Sequence, residues 1–115
     1  MSLKSTITVL YERLSDGEGR FDVSYYVNIH MSIVMDKWKA FNIEDWQVVE
    51  YTSAFLDVAA PYVASAVVTF GSADGASKAL SAAETKDVFG DVPNFTNLKP
   101  LLMLGKVAGH SQGAI

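Results

Sequence analysis

Only two histidines occur in the 115 residues, and one of them, His30, stands in the centre of an apolar helical face. At about 3.6 residues per turn, the segment after Asp22 gathers Val23, Tyr26, Val27, Ile33 and Val34 on one side. His30 falls among them and Lys37 follows two turns on, while Asn28, Ser32, Met35 and Lys39 share the wet side with Ser24 and Asp36. An imidazole in that position is either a satisfied core residue or the lining of an internal cavity, where it can act as general acid or base. Tyr26 sits one turn before it, so phenol and imidazole can meet or converge on one ligand. Tyr25 lies off the centre of the stripe and reads as packing. A second candidate is Gly90-Asp91-Val92-Pro93-Asn94-Phe95-Thr96-Asn97, which is dense in turn formers and hydrogen-bonding side chains. Its simpler reading is a capped turn in which Asp91, Asn94 and Thr96 bond to backbone.

Composition narrows the chemistry. There is no cysteine, which excludes disulfides, thiolate metal sites, Fe–S clusters and cysteine nucleophiles. Nine Lys+Arg against thirteen Asp+Glu give a net charge of −4, which argues against nucleic acid or an anionic membrane as partner. No P-loop, H-E-x-x-H, EF-hand loop or G-x-S-x-G occurs, and nothing marks a haem pocket around His30. Gly17-Glu18-Gly19 lacks the third glycine of a dinucleotide fingerprint. The pairs Asp16/Glu18 and Glu84/Asp87 read as solvated surface. Asn94-Phe95-Thr96 matches a glycosylation sequon, which is set aside because no secretion signal is recognisable. The longest apolar run, Val58 to Phe70, contains Pro61 and is too short to span a bilayer, so a cytoplasmic location is the default expectation.

Half of the residues are hydrophobic, enough for one domain with a core, expected over residues 4–108 with a flexible tail at 109–115. Lys4 to Tyr11 alternates, with Ile7, Val9 and Tyr11 on one face and Thr6, Thr8 and Leu10 on the other, which predicts a half-buried strand. Asp22 is placed as a helix N-cap, with Phe21 and Tyr26 as a hydrophobic staple, and the helix is predicted to run to about Trp38. After a polar connection at 42–45, Trp46 to Ala54 is predicted as a strand and Tyr62 to Phe70 as a central one. Ser72 is placed as the cap of a second helix reaching about Ala83, with a short helical turn somewhere in 84–97. Leu98 to Ala108 is predicted as the last strand, begun by Pro100 at a sheet edge.

This β-α-β-β-α-β order is the ferredoxin-like α+β arrangement, a four-stranded antiparallel sheet with both helices on one face. Strands one, three and four are apolar on both faces. The uncovered sheet face therefore predicts a homodimer packed sheet against sheet.

Phe21-Asp22, Tyr25-Tyr26 and His30-Met31, followed by Gly90-Asp91-Val92-Pro93-Asn94-Phe95-Thr96-Asn97 before the last strand, resemble the EthD family, small proteins named for a role in ethyl tert-butyl ether degradation. The likeness runs from about Ile7 to Val107. It implies a dimeric α+β barrel, a group that also holds cofactor-free monooxygenases, muconolactone isomerase and haem-binding peroxidases. One departure is Ser32, where the family usually has proline after His-Met.

The resemblance implies a pocket between sheet and helices for a small apolar or aromatic molecule, with no cofactor and no metal. His30 and Tyr26 would be catalytic; Asn94, Thr96, Phe95 and Tyr25 would bind substrate. Oxidoreductase, isomerase and lyase chemistry all remain open, as does a non-catalytic carrier with the same pocket.

Overall fold

The computed structural model describes residues 3–54, 56, 58–111 and 113–114. Alternation along β1 (Ser5–Glu12) turns Ser5, Ile7 and Tyr11 into the core and leaves Thr6, Thr8 and Leu10 on the opposite face. β2 (Ile43–Glu50), β3 (Tyr62–Phe70) and β4 (Pro100–Lys106) complete an antiparallel sheet in the order β2-β3-β1-β4. β1 and β3 are its central pair, with Ile7 opposite Val68, Val9 opposite Ala66 and Tyr11 opposite Ala64. Pro100 does begin an edge strand, the position in a sheet where proline is tolerated.

The helical layer differs from a uniform helix in one informative way. Asp22 caps α1 (Val23–Tyr25), its carboxylate accepting the Tyr25 N–H at 3.0 Å, and the Phe21 and Tyr26 rings meet at 5.1 Å as a staple. A π-helical turn (Tyr26–His30) follows and runs into α2 (Met31–Trp38). In the π turn the Met31 N–H reaches back to the Tyr26 carbonyl, which takes up one residue more than an α turn. Both His30 and Met31 are thereby buried, and the core face continues through Val34 and Trp38. Lys37, expected on the His30 face, is instead half-exposed and paired with Asp87 at 3.4 Å. The Ser32 hydroxyl donates to the Asn28 carbonyl within this continuous helix.

Several boundaries are corrected. β2 begins at Ile43 rather than Trp46 and ends at Glu50. A 3-10 turn (Lys39–Phe41) ending on Asn42, in the left-handed conformation (φ 66°), connects α2 to β2, and a bulge lies between Ile43 and Asp45. The second helix, α3 (Gly75–Ser81), is not capped by the Ser72 side chain. Its Ala76 N–H is taken by the Ser5 hydroxyl of β1, which in turn donates to the Ser72 carbonyl. Gly75 is required there, because a Cβ would lie 2.7 Å from the Phe41 carbonyl oxygen and 2.8 Å from Phe70 Cβ.

A further helix, α4 (Thr85–Gly90), and a 3-10 turn (Val92–Asn94) carrying Pro93 in its first residues lead into the last strand. In the segment expected as tail, β5 (Gly109–His110) pairs with β6 (Gly113–Ala114). Gln112 and Ile115 lie outside the described residues.

Both the core and the open face follow from strand parity. Ile7, Tyr11, Ala66, Val68 and Phe70 pack with Tyr26, Met31, Val34 and Trp38 from the first helix, Ala76 and Ala79 from α3, and Val88 from α4. The other face presents Thr8, Leu10, Val49, Val67, Leu101 and Met103, of which Val49, Leu101 and Met103 are exposed.

Candidate active site

Two pieces of chain distant in sequence converge on His30. The segment after the 3-10 turn is stitched to the residues that start the first helix. Asp22 N–H donates to the Phe95 carbonyl at 2.8 Å, the Thr96 hydroxyl donates to the Arg20 carbonyl at 2.6 Å, and the Arg20 N–H reaches the Asn97 side chain at 2.9 Å. This seam sets Asp91, at the end of α4, beside the first helix.

Asp91 is the centre of the polar cluster. Its Oδ2 lies 2.9 Å from His30 Nδ1, and its Oδ1 accepts the Tyr25 hydroxyl at 2.7 Å and the Asn94 amide at 2.8 Å. His30 and Asp91 are 4% and 8% exposed, so the pair works in a desolvated setting. Burial tends to push the Asp91 carboxyl up, but hydrogen bonds from Asn94, Tyr25 and His30 outweigh it and hold the group below its ordinary value. Burial also lowers the His30 imidazole below its ordinary value, and the nearby carboxylate opposes this without cancelling it. Both directions describe a neutral imidazole hydrogen-bonded to an ionised carboxylate. An ionised carboxylate only accepts, so Nδ1 carries the proton and donates it. Nε2 is left with its lone pair.

The imidazole borders an internal cavity of about 20 Å³ between sheet and helices. Val9, Ala66 and Val68 form its sheet wall, Met31, Val34 and Trp38 its helix wall, and Val88, Phe89 and Val92 its remaining side. That volume admits one water molecule, and Phe89 and Val92 are half-buried rather than fully enclosed. Among the described residues, the other lining side chains with N–H or O–H groups are Tyr11, Tyr26 and Trp38, and the Trp38 indole N–H is committed to the Thr85 hydroxyl at 2.9 Å.

The remaining candidates take distinct places. Tyr26 lies flat on the His30 ring, centroids 5.1 Å apart and 11° from parallel, a stack produced by the π turn between them. Burial pushes its phenol up to about 12, with a hydrogen bond to Tyr11 working the other way. Tyr25 and Asn94 act on Asp91 rather than on the cavity.

Phe95, 1% exposed, packs against the rings of Tyr11, Phe21, Tyr25, Tyr26 and His30. The Thr96 hydroxyl is spent on main chain, donating to Arg20 and accepting the Leu98 N–H. Asp91 itself was readable only as a turn residue, and Tyr11 only as part of a strand. Among the described residues, no group of three or more His, Asp or Glu side chains could hold a metal ion.

The architecture is that of the ferredoxin-like, dimeric α+β barrel proteins. An EthD-like protein from Ralstonia eutropha JMP134 superposes with a TM-score of 0.81 at 21% identity, over 97% of this chain and 99% of that one. An EthD family protein from Bacillus halodurans C-125 gives 0.65 at 17% identity, over 89% and 96%. A dimeric ferredoxin-like protein of unknown function from Jannaschia sp. CCS1 gives 0.56 at 12% identity, over 88% and 96%. No family model and no curated protein matches the chain. The fold implied by the EthD resemblance is thus the fold observed, over nearly the whole chain.

Proposed function

We propose that this chain is an EthD-type enzyme that uses His30 as a general base on a small, uncharged, mostly apolar or aromatic molecule. The observation that carries this reading is the Asp91–His30 hydrogen bond of 2.9 Å, which leaves Nε2 unprotonated beside an apolar cavity.

The chemistry follows from that arrangement. A substrate proton within reach of Nε2 passes to the imidazole, and the imidazolium so formed is stabilised by the Asp91 carboxylate already in contact with Nδ1. Tyr25 and Asn94 hold that carboxylate in place. The stacked Tyr26 and the Phe95 ring fix the plane of the imidazole. Isomerisation, elimination and activation of a phenol each begin with such a proton transfer and need no cofactor. A substrate larger than water enters by displacing Phe89 and Val92, the half-buried side chains of the cavity wall.

The working unit is a cytoplasmic homodimer joined through the open sheet faces. Exposed Val49, Leu101 and Met103 support the dimer, as does the dimeric ferredoxin-like protein from Jannaschia, which shares the fold.

A panel of phenolic and quinoid compounds tests the proposal. His30→Ala abolishes conversion, whereas unchanged rates remove His30 as the base. Tight binding without turnover in the parent chain assigns a carrier instead.

A further inference from the structure

The phenols of Tyr11 and Tyr26 carry an unspent donor. Both side chains are 1% exposed, both border the cavity that holds His30, and their rings meet edge to face at 5.7 Å, with each phenol influencing the other. Two phenols bring two O–H donors, and a bond between them uses one. The other O–H stays open to an acceptor that enters the cavity. Burial raises both phenols, so each keeps its proton at neutral pH. The same cavity thus offers one acceptor, His30 Nε2, and one donor, a phenol O–H, with apolar side chains around them.

We infer that this cavity is a binding site for a neutral hydroxyl group, which donates to His30 Nε2 and accepts the free O–H of the Tyr11–Tyr26 pair. The chemistry fits the geometry on three counts. A hydroxyl is both donor and acceptor, as the two unspent groups require. Its oxygen matches a volume of about 20 Å³. A carboxylate or ammonium would enter an apolar wall with no countercharge other than Asp91, whose oxygens are already occupied.

The hydroxyl belongs to water or to an alcohol or phenol, and the site treats their O–H alike. When base chemistry follows, the O–H bond breaks and an Nε2–H bond forms. The oxyanion left behind is held by the phenol donor. Tyr11 becomes a member of the site on this account, together with Tyr26. The inference rests on the reading of His30 as a base with a bare Nε2.

The experiment pairs a high-resolution crystal structure with a titration of the full chain by phenol and by anisole, followed through the ¹⁵N resonances of His30. A water within hydrogen-bond distance of Nε2 and of one phenol oxygen, displaced by phenol and not by anisole, assigns an organic hydroxyl. A water that stays while phenol fails to bind assigns water itself. Removing both donors in Tyr11→Phe/Tyr26→Phe keeps the rings and weakens phenol binding by about tenfold, while either single variant retains one donor. Anisole binding as well as phenol, a dry cavity, or unchanged phenol affinity in the double variant overturns the inference. A His30 resonance showing Nε2–H in the free protein defeats the base reading separately.

Discussion

Asp91 Oδ2 lies 2.9 Å from His30 Nδ1 across 61 residues of chain, and both side chains are buried. The contact joins the end of α4 to the π turn of the first helix. It determines which imidazole nitrogen is available for chemistry, because the carboxylate claims the Nδ1 proton and leaves Nε2 bare.

Asp91→Asn removes the charge but keeps the shape. The Asn amide can donate to Nδ1 and favour the wrong tautomer, so turnover should fall by about 10²–10⁴-fold with the fold intact. Loss of the carboxylate also removes the one influence that raises the His30 pKa, so the imidazole titrates at still lower pH. Steady-state rates and a proton titration on the same sample check both effects. Wild-type turnover in the variant refutes the positioning role.

Stability should decline with acid in a defined window. His30 is held below its ordinary 6.5, by burial first, with Asp91 opposing; the neighbouring Tyr11, Tyr25 and Tyr26 stay neutral. Between the depressed value and 6.5, the unfolded chain binds a proton that the native chain does not. Stability present above that window is lost as pH falls through it. Asp91, held below 3.8, adds a second loss as pH drops through its native value. Urea midpoints at about pH 7.5 and about pH 5.5 should show the first decline, and His30→Gln should flatten it.

Phe95 supports the site from beneath. Its ring touches five aromatic neighbours including His30, at a centroid distance of 4.8 Å, so Phe95→Ala should cost about 3–5 kcal/mol by denaturant unfolding. A cost below about 1 kcal/mol would mean that the ring is not part of the packed core.

Association should depend on the open sheet face. Light scattering should give about twice the 12.5 kDa chain mass, and Val67→Glu, a charge in the middle of that face, should give the monomer. A monomeric parent chain contradicts the sheet-to-sheet arrangement.

Much of this fold was legible from period and punctuation. Alternation in β1, the apolar run of β3, the edge Pro100 and the Asp22 cap with its Phe21/Tyr26 staple are local signals, and each has its physical counterpart. The site was only half legible. A uniform helical wheel placed His30 correctly but put Lys37 on its face, because the extra residue of a π turn does not show in hydrophobic spacing. Asp91 read as a turn former, since its partners Tyr25 and His30 lie far back in the chain and only the 95–97 seam to 20–22 brings them together. Ser5 capping α3 is hidden for the same reason.

His30 borders the cavity as a neutral imidazole, with its proton on Nδ1 and its lone pair on Nε2. With only two histidines in the chain, ¹⁵N spectroscopy of the imidazoles reads it directly. His30 should show a neutral Nδ1–H tautomer at neutral pH and titration below 6.5. An Nε2–H tautomer, or a charged ring at neutral pH, contradicts it.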